Sequence, residues 1–289
     1  MITPMLADGA MDYDGAARLA VHLVDDMHND GLVVNGTTGE SPTTSPEENQ
    51  RLLKTVVEAV GDRATIVMGV GSNDTAHAIA SARAAERIGA HGSLVVTPYY
   101  NKPPQDGLLR HFTMVADATG LPVMLYDIPG RTGTAIATET LLRLADHPRI
   151  VAVKDAKGDL GATSRVIADS SLVVYSGEDM LNLPLLSIGA AGFVSVVGHV
   201  VGHRLAEMIE AYRSGDVARA ARVHREVLPV YRSNARTQGV MFVKAVLNMM
   251  GLPAGPVRPP LVEAPPELTA LIRDDLSGTD VKLSEGPHA

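Results

Sequence analysis

The sequence predicts an α/β fold, a (β/α)8 TIM barrel with a C-terminal helical extension. Three observations carry that prediction. Short apolar runs bounded by Gly, Pro, Asn or Ser recur along the chain, with helical patterns between them. The runs are continuous in hydrophobicity, as are strands of a parallel sheet covered on both faces. The 289 residues, 45% of them hydrophobic, suit the size of one such barrel and the core it needs.

The strand candidates are residues 31–35, 65–70, 92–97, 122–126, 150–154, 172–176 and 192–196. Their starts lie roughly 20 to 35 residues apart, room for one crossover helix and two loops. Ser45-Pro46-Glu47-Glu48 opens a helix with an N-cap serine, a proline at the first helical position and acids in the first turn. Residues 75–88, 105–119 and 138–145 have similar helical character. A closed barrel needs an eighth strand, and only residues 2–5 are available for it. Their shortness predicts a truncated first strand that began upstream, and leaves a doubly wound open sheet as the structural alternative.

After the last strand, residues 202–214, 216–233 and 239–250 predict three more helices, the middle one split near Pro229. Residues 252–266 carry six prolines and predict a crossing segment. The domain reading is a barrel over 1–214, a helical extension over 215–276 and a frayed tail over 277–289.

Composition narrows the function. A net charge of −8 argues for solubility and against nucleic acid as the main partner. The chain has no cysteine, which excludes disulfides, thiolate metal sites and cysteine nucleophiles. Aromatics make up 3% with no Trp, so Val, Leu, Ile, Ala and Met must fill the core. No apolar stretch approaches the about 20 residues that span a bilayer, and Met1-Ile2-Thr3-Pro4 is no signal peptide, so a cytoplasmic protein is expected.

In a parallel barrel the chemistry sits at the C-terminal ends of the strands. Lys154 closes the run Arg149-Ile150-Val151-Ala152-Val153-Lys154, sharing a strand face with Ala152. A lysine taken out of water there loses proton affinity, and a neutral amine forms Schiff bases with carbonyl compounds. The alternative is a strand-end lysine whose head reaches solvent; its neighbours decide. Gly36-Thr37-Thr38-Gly39-Glu40-Ser41 follows one strand and offers backbone N–H groups and two hydroxyls to a carboxylate, or is simply a β-to-α turn. Thr97-Pro98-Tyr99-Tyr100-Asn101-Lys102-Pro103 follows another. Tyr126-Asp127-Ile128-Pro129-Gly130-Arg131-Thr132-Gly133 places a tyrosine at a strand end and an arginine, a bidentate carboxylate partner, on the next loop.

Other signals are weaker. His199 and His203 stand at i, i+4, but no third ligand is evident, so no metal is expected. Gly69-Val70-Gly71-Ser72 is half of a dinucleotide fingerprint. Glu47 and Glu48 serve the helix start.

With these segments in order, the chain resembles the 4-hydroxy-tetrahydrodipicolinate (dihydrodipicolinate) synthase family of the class I pyruvate aldolases, a superfamily that includes N-acetylneuraminate lyase. The resemblance runs from Thr3-Pro4 to about Gly251. It rests on the three loops above, on Val153-Lys154-Asp155-Ala156-Lys157-Gly158-Asp159 and on Ser176-Gly177-Glu178-Asp179. It implies that Lys154 forms the Schiff base with pyruvate and that Tyr126 relays protons above the imine. Thr37 and Tyr100 are implied as relay partners, Tyr100 reaching in from a neighbouring subunit of a homotetramer. Thr38 is implied to hold the pyruvate carboxylate with Thr37, and Arg131 the carboxylate of L-aspartate 4-semialdehyde. Gly177 and Val194 are implied to line the pyruvate pocket.

No metal and no diffusible cofactor is implied. Thr37-Thr38 together with Arg131 favours the synthase over sialic-acid lyases; sugar-acid aldolases and a non-catalytic relative are the rivals. At the positions matching the family's lysine-inhibition pocket, Ser41, Asn73 and Tyr99 fit, whereas Pro42, Pro46, Asn49 and His77 do not. Loss of an acidic partner costs a charge-assisted hydrogen bond, roughly 1.5–3 kcal/mol, so weak or absent lysine feedback is expected.

Overall fold

Strands form where seven of the apolar runs lie, six of them with boundaries shifted by one residue. The computed structural model of the chain describes residues 1–284. Its elements begin with α1 (Tyr13–Asp25), β1 (Gly31–Val34), α2 (Pro46–Val60), β2 (Thr65–Gly69), α3 (Thr75–Ile88) and β3 (Gly92–Val96). Next come α4 (Gln105–Asp117), β4 (Val123–Asp127), α5 (Pro129–Thr132), α6 (Thr138–Leu144), β5 (Ile150–Asp155) and α7 (Leu160–Asp169). The last are β6 (Val173–Ser176), α8 (Asn182–Ser187), β7 (Gly192–Phe193), α9 (Gly198–Arg213), α10 (Val217–Asn234), α11 (Gly239–Met249) and α12 (Pro266–Leu276). These elements form two compact units, one of Met1–Ala64 with the chain from Val196 onward, the other of Thr65–Ser195.

In the Thr65–Ser195 unit, β2 to β7 pair in sequence order and every ladder is parallel. Helices lie between successive strands, the crossover that parallel pairing demands. The ladder has one irregularity, a register shift at Val123/Met124 between β4 and β5. Beyond it, Tyr126 pairs with Lys154 and Asp127 with Asp155. The strand expected over 192–196 is shorter, ending at Phe193. Val194 N still donates to Ser176 O at 2.7 Å, but Ser195 then turns its hydroxyl to Asp179 and leaves the ladder. Helices α7 and α8 were not read from the sequence, although Asp159 caps α7 by accepting from Ala162 N at 3.0 Å.

In the other unit, α1 was also unread, and its N-cap Asp12 accepts from Gly15 N at 2.7 Å. Helix α2 begins as its sequence predicts, with a full capping box between Ser45 and Glu48 behind Pro46. The residues expected as an eighth strand form none. Ile2, Thr3 and Met5 are buried, but their pairing is limited to one antiparallel bridge from Met5 to Met11. Met5 N donates to Ala254 O at 3.0 Å and Ile2 N to His199 Nε2 at 2.9 Å, so other elements take the hydrogen bonds a ladder would use.

Helix α10 is unbroken, contrary to the split expected at Pro229. Proline removes one backbone donor, yet Val223, Val227, Val230 and Tyr231 are buried on both sides of it and hold the axis. Helix α9 instead carries a non-helical residue, Val201. His199 and His203 flank it and take separate partners, His203 Nε2 lying 2.8 Å from Asp280 Oδ2. Over 277–284, part of the expected frayed tail, Val281 is buried and Ser284 N donates to Met249 O at 2.8 Å. The remainder of that tail lies outside the described residues.

Burial drives the His199 imidazole down to about 3 and, in the other unit, that of His111 down to about 4. Both stay neutral when folded, while the unfolded chain takes up their protons near pH ~6.5. Stability is therefore full above about pH 6.5 and lost as pH falls below it. A drop of at least about 3 °C in Tm between pH ~6.5 and ~5 is expected, and His199→Gln should flatten that slope in a calorimetric series.

Candidate active site

Lys154 and Tyr126 are the pair that the sheet brings together. They are register partners near the C-terminal ends of β5 and β4, and partners in a parallel ladder point to the same face. Lys154 Nζ lies 4.1 Å from the centroid of the Tyr126 ring, within cation–π distance. Tyr126 is buried and Lys154 half-buried, so the amine keeps a route to incoming molecules. Beside it, Lys154 pairs with Tyr175 on β6.

Gly177 makes room for this lysine. A Cβ at that position would stand 2.8 Å from Lys154 Cγ and 2.9 Å from its Cε, so any side chain would displace the amine. Gly177 N donates to Asp155 O at 2.7 Å, which ties the glycine to the strand carrying the lysine. Val194, also implicated by the sequence, is half-buried just beyond β7.

Arg131 sits exposed in the single turn of α5, which starts at Pro129 and ends at Gly133 in the left-handed conformation, φ 74°. Lys102 packs on that glycine, its Cε 2.7 Å from where a Cβ would be. The turn after β4 and the loop after β3 therefore meet. On that loop Tyr100 is 90% exposed and held at φ 73°, a conformation uncommon for a non-glycine residue. The neighbouring Asn101 side-chain amide donates to Asn73 O at 2.9 Å, fixing the loop whose tip is the tyrosine. Tyr100 thus points into solvent.

Thr37 and Thr38 belong to the other unit, in a 3-10 turn spanning Thr37–Gly39. The turn consumes the N–H groups of Gly39, Glu40 and Ser41 internally. What it presents is therefore Thr37, exposed, and Thr38, half-buried. Its C-cap, Glu40, takes φ 60° and is buried, a costly place for a carboxylate. Lys244 of α11, only 2% exposed, meets it at 2.6 Å and donates to Pro256 O at 2.6 Å. Arg258 N donates to Glu40 Oε2 at 2.8 Å, and its guanidinium grips Glu48. Burial lowers the Lys244 proton affinity against the pull of Glu40.

Sequence reasoning missed this anchor, although a lysine within Phe242-Val243-Lys244-Ala245-Val246 was a visible signal. It also missed Asp127, Asp155 and Lys157, which lie behind the Tyr126–Lys154 row. Among the described residues no His, Asp or Glu cluster of metal-binding type occurs.

Comparisons with known proteins show the family and the fold. The model of the dihydrodipicolinate synthetase family matches residues 1–277. The chain is 63% identical to 4-hydroxy-tetrahydrodipicolinate synthase 2 of Streptomyces coelicolor, over 98% of this chain and 94% of that relative. It is likewise 63% identical to the 4-hydroxy-tetrahydrodipicolinate synthase of Acidothermus cellulolyticus, over 99% and 93%. Among solved structures, dihydrodipicolinate synthase from Aquifex aeolicus superposes with a TM-score of 0.95 at 34% identity, covering 99% of this chain and 98% of that one. The fold class is that of these structures, a TIM barrel with a C-terminal helical part.

The Glu40–Lys244 pair gives a stability test. Lys244→Met would leave Glu40 buried without its cation, a loss of about 3–5 kcal/mol. A matching fall in the urea midpoint is expected, with Glu40→Gln in the same chain restoring part of it.

Proposed function

We propose that this chain, which belongs to the dihydrodipicolinate synthetase family, condenses pyruvate with L-aspartate 4-semialdehyde to give 4-hydroxy-tetrahydrodipicolinate, a step toward diaminopimelate and lysine. The observation that carries the reading is the Lys154 amine, 4.1 Å from the Tyr126 ring centroid and kept clear by Gly177.

The Lys154 amine adds to the ketone of pyruvate and water leaves, giving an iminium that serves as an electron sink. A methyl proton departs and the enamine carbon forms a bond to the aldehyde carbon, whose oxygen takes up a proton. The amine of the second substrate then closes the ring and frees Lys154. Each proton transfer needs a positioned hydroxyl, and the reading gives that work to Tyr126 with Thr37 and Tyr100. Thr38 holds the pyruvate carboxylate with Thr37, Arg131 takes the carboxylate of the aldehyde substrate, and Gly177 and Val194 line the pyruvate pocket. No diffusible cofactor or metal enters the scheme.

We further read the enzyme as a cytoplasmic homotetramer in which Tyr100 serves a neighbouring subunit. An aromatic ring 90% exposed on a fixed loop supports that role, since such a surface favours a partner. Among the described residues no helix is long and apolar enough to cross a membrane. Weak or absent lysine feedback follows from Pro42, Pro46, Asn49 and His77, and calorimetry showing micromolar lysine binding would refute it.

Borohydride reduction with pyruvate, followed by peptide mapping, is expected to leave a pyruvate-derived adduct on Lys154. No adduct on folded protein would defeat the Schiff-base reading. Adduct formation with products only from sugar-derived aldehydes would replace the synthase by a related aldolase. In steady state, Tyr126→Phe should lower kcat by about 100-fold. Gly177→Ala, by displacing the amine, should slow imine trapping by at least about 10-fold.

A further inference from the structure

The pleat that turns Tyr126 and Lys154 to one face turns the residues after them to the other. Asp127 follows Tyr126, Asp155 follows Lys154, and the two aspartates are themselves register partners. Both are buried. Two carboxylates opposite each other on adjacent strands repel, and burial sharpens the repulsion because little water screens it. Left alone, the pair would push apart the strand ends that carry the lysine and the tyrosine.

Lys157 lies between this pair and solvent. Its Nζ sits 3.3 Å from Asp127 Oδ2, and its backbone N donates to Asp155 Oδ1 at 2.8 Å. One residue thus engages both carboxylates, one through its side chain and the other through its backbone. Other donors gather around the pair. Asp127 Oδ1 accepts from Ile136 N at 3.1 Å, the Thr163 hydroxyl donates to Asp155, and Ala156 N donates to Asp127 O at 2.9 Å. Asp127, Asp155, Lys157 and Thr163 share one crevice, floored by Val153 and Val174. Burial holds the proton affinity of Asp127 above the ordinary carboxylate range, with Asp155 adding to the rise and Lys157 offsetting part of it.

We propose that Lys157 is a positioning residue for the condensation: as counter-charge to the Asp127–Asp155 pair, it locks the ends of β4 and β5 so that Tyr126 stays over the Lys154 amine. The inference rests on the Schiff-base reading of Lys154. Lys157 touches no reacting atom. It acts through the two strands, by holding the aspartates close.

The test is a charge cycle on the full-length enzyme. Lys157→Met leaves two uncompensated carboxylates, Asp127→Asn removes one of them, and the double variant has neither the cation nor one anion. Lys157→Met is expected to lower kcat by at least about 10-fold with KM for pyruvate changed less than about 3-fold, since geometry rather than uniform binding is lost. Lys157→Arg should keep kcat within about 3-fold of the parent. The double variant should recover to within about 3-fold of Asp127→Asn alone, the coupling that interacting sites show.

A Lys157→Met enzyme with near-parent kcat and a native melting curve would overturn the proposal. So would a Lys157→Arg enzyme as slow as Lys157→Met, or a double variant whose loss is the product of the two single losses. If Lys157→Met does not fold, the arginine and double variants decide between the same alternatives. A parent that forms no product with L-aspartate 4-semialdehyde would refute the functional reading. Lys157 is then judged by the rate of pyruvate imine trapping at Lys154, and fails if that rate ignores the substitutions.

Discussion

The register of the parallel ladder between β4 and β5 is the constraint on which the candidate site depends, because a strand alternates its faces residue by residue. With Tyr126 beside Lys154, Asp127 necessarily falls beside Asp155. A slip of one position would place Asp127 level with Lys154 in one direction, or Tyr126 level with Asp155 in the other. The shift at Val123/Met124 sets which of these alignments is built, well before the chain reaches the residues concerned. Gly177 then allows the lysine to lie flat along its neighbour strand, where any Cβ would meet it.

Both units place a charged network directly behind the residues assigned to chemistry. In one, Lys244 and Arg258 compensate Glu40 at the end of the Thr37–Thr38 turn. In the other, Lys157 compensates Asp127 and Asp155 behind Tyr126 and Lys154. Buried ion pairs contribute little net stability compared with apolar packing. They are directional, however, and breaking one leaves a charge with no solvent to absorb it. A candidate row that sets an amine beside a tyrosine ring gains from that intolerance, and Val or Leu at these positions would not provide it.

Several elements were legible because their signal is local. Ser45-Pro46-Glu47-Glu48 specifies a helix start through its own hydrogen bonds, and the capping box is present. Lys154 stood out as a lone lysine closing an apolar run. Others were hidden for physical reasons. Helix α8 is only six residues long, too short for periodicity to show. Pro229 reads as a helix breaker, yet apolar side chains on both sides keep α10 continuous. Ile2–Met5 reads as a strand, yet its hydrogen bonds go to Ala254 and His199, residues remote in sequence.

The sequence by itself determined the alternation of strand and helix, the apolar faces and the choice of candidate side chains, because propensity, capping and period-2 or period-3.6 patterning act over a few residues. Tertiary structure alone decided which side chains stand in one row, which glycine must lack a Cβ, and which lysines answer the buried carboxylates. Those outcomes depend on distances between segments far apart in the chain. Lys157 and Lys244 carry the same residue type as any solvated lysine, and only the fold surrounds them with anions.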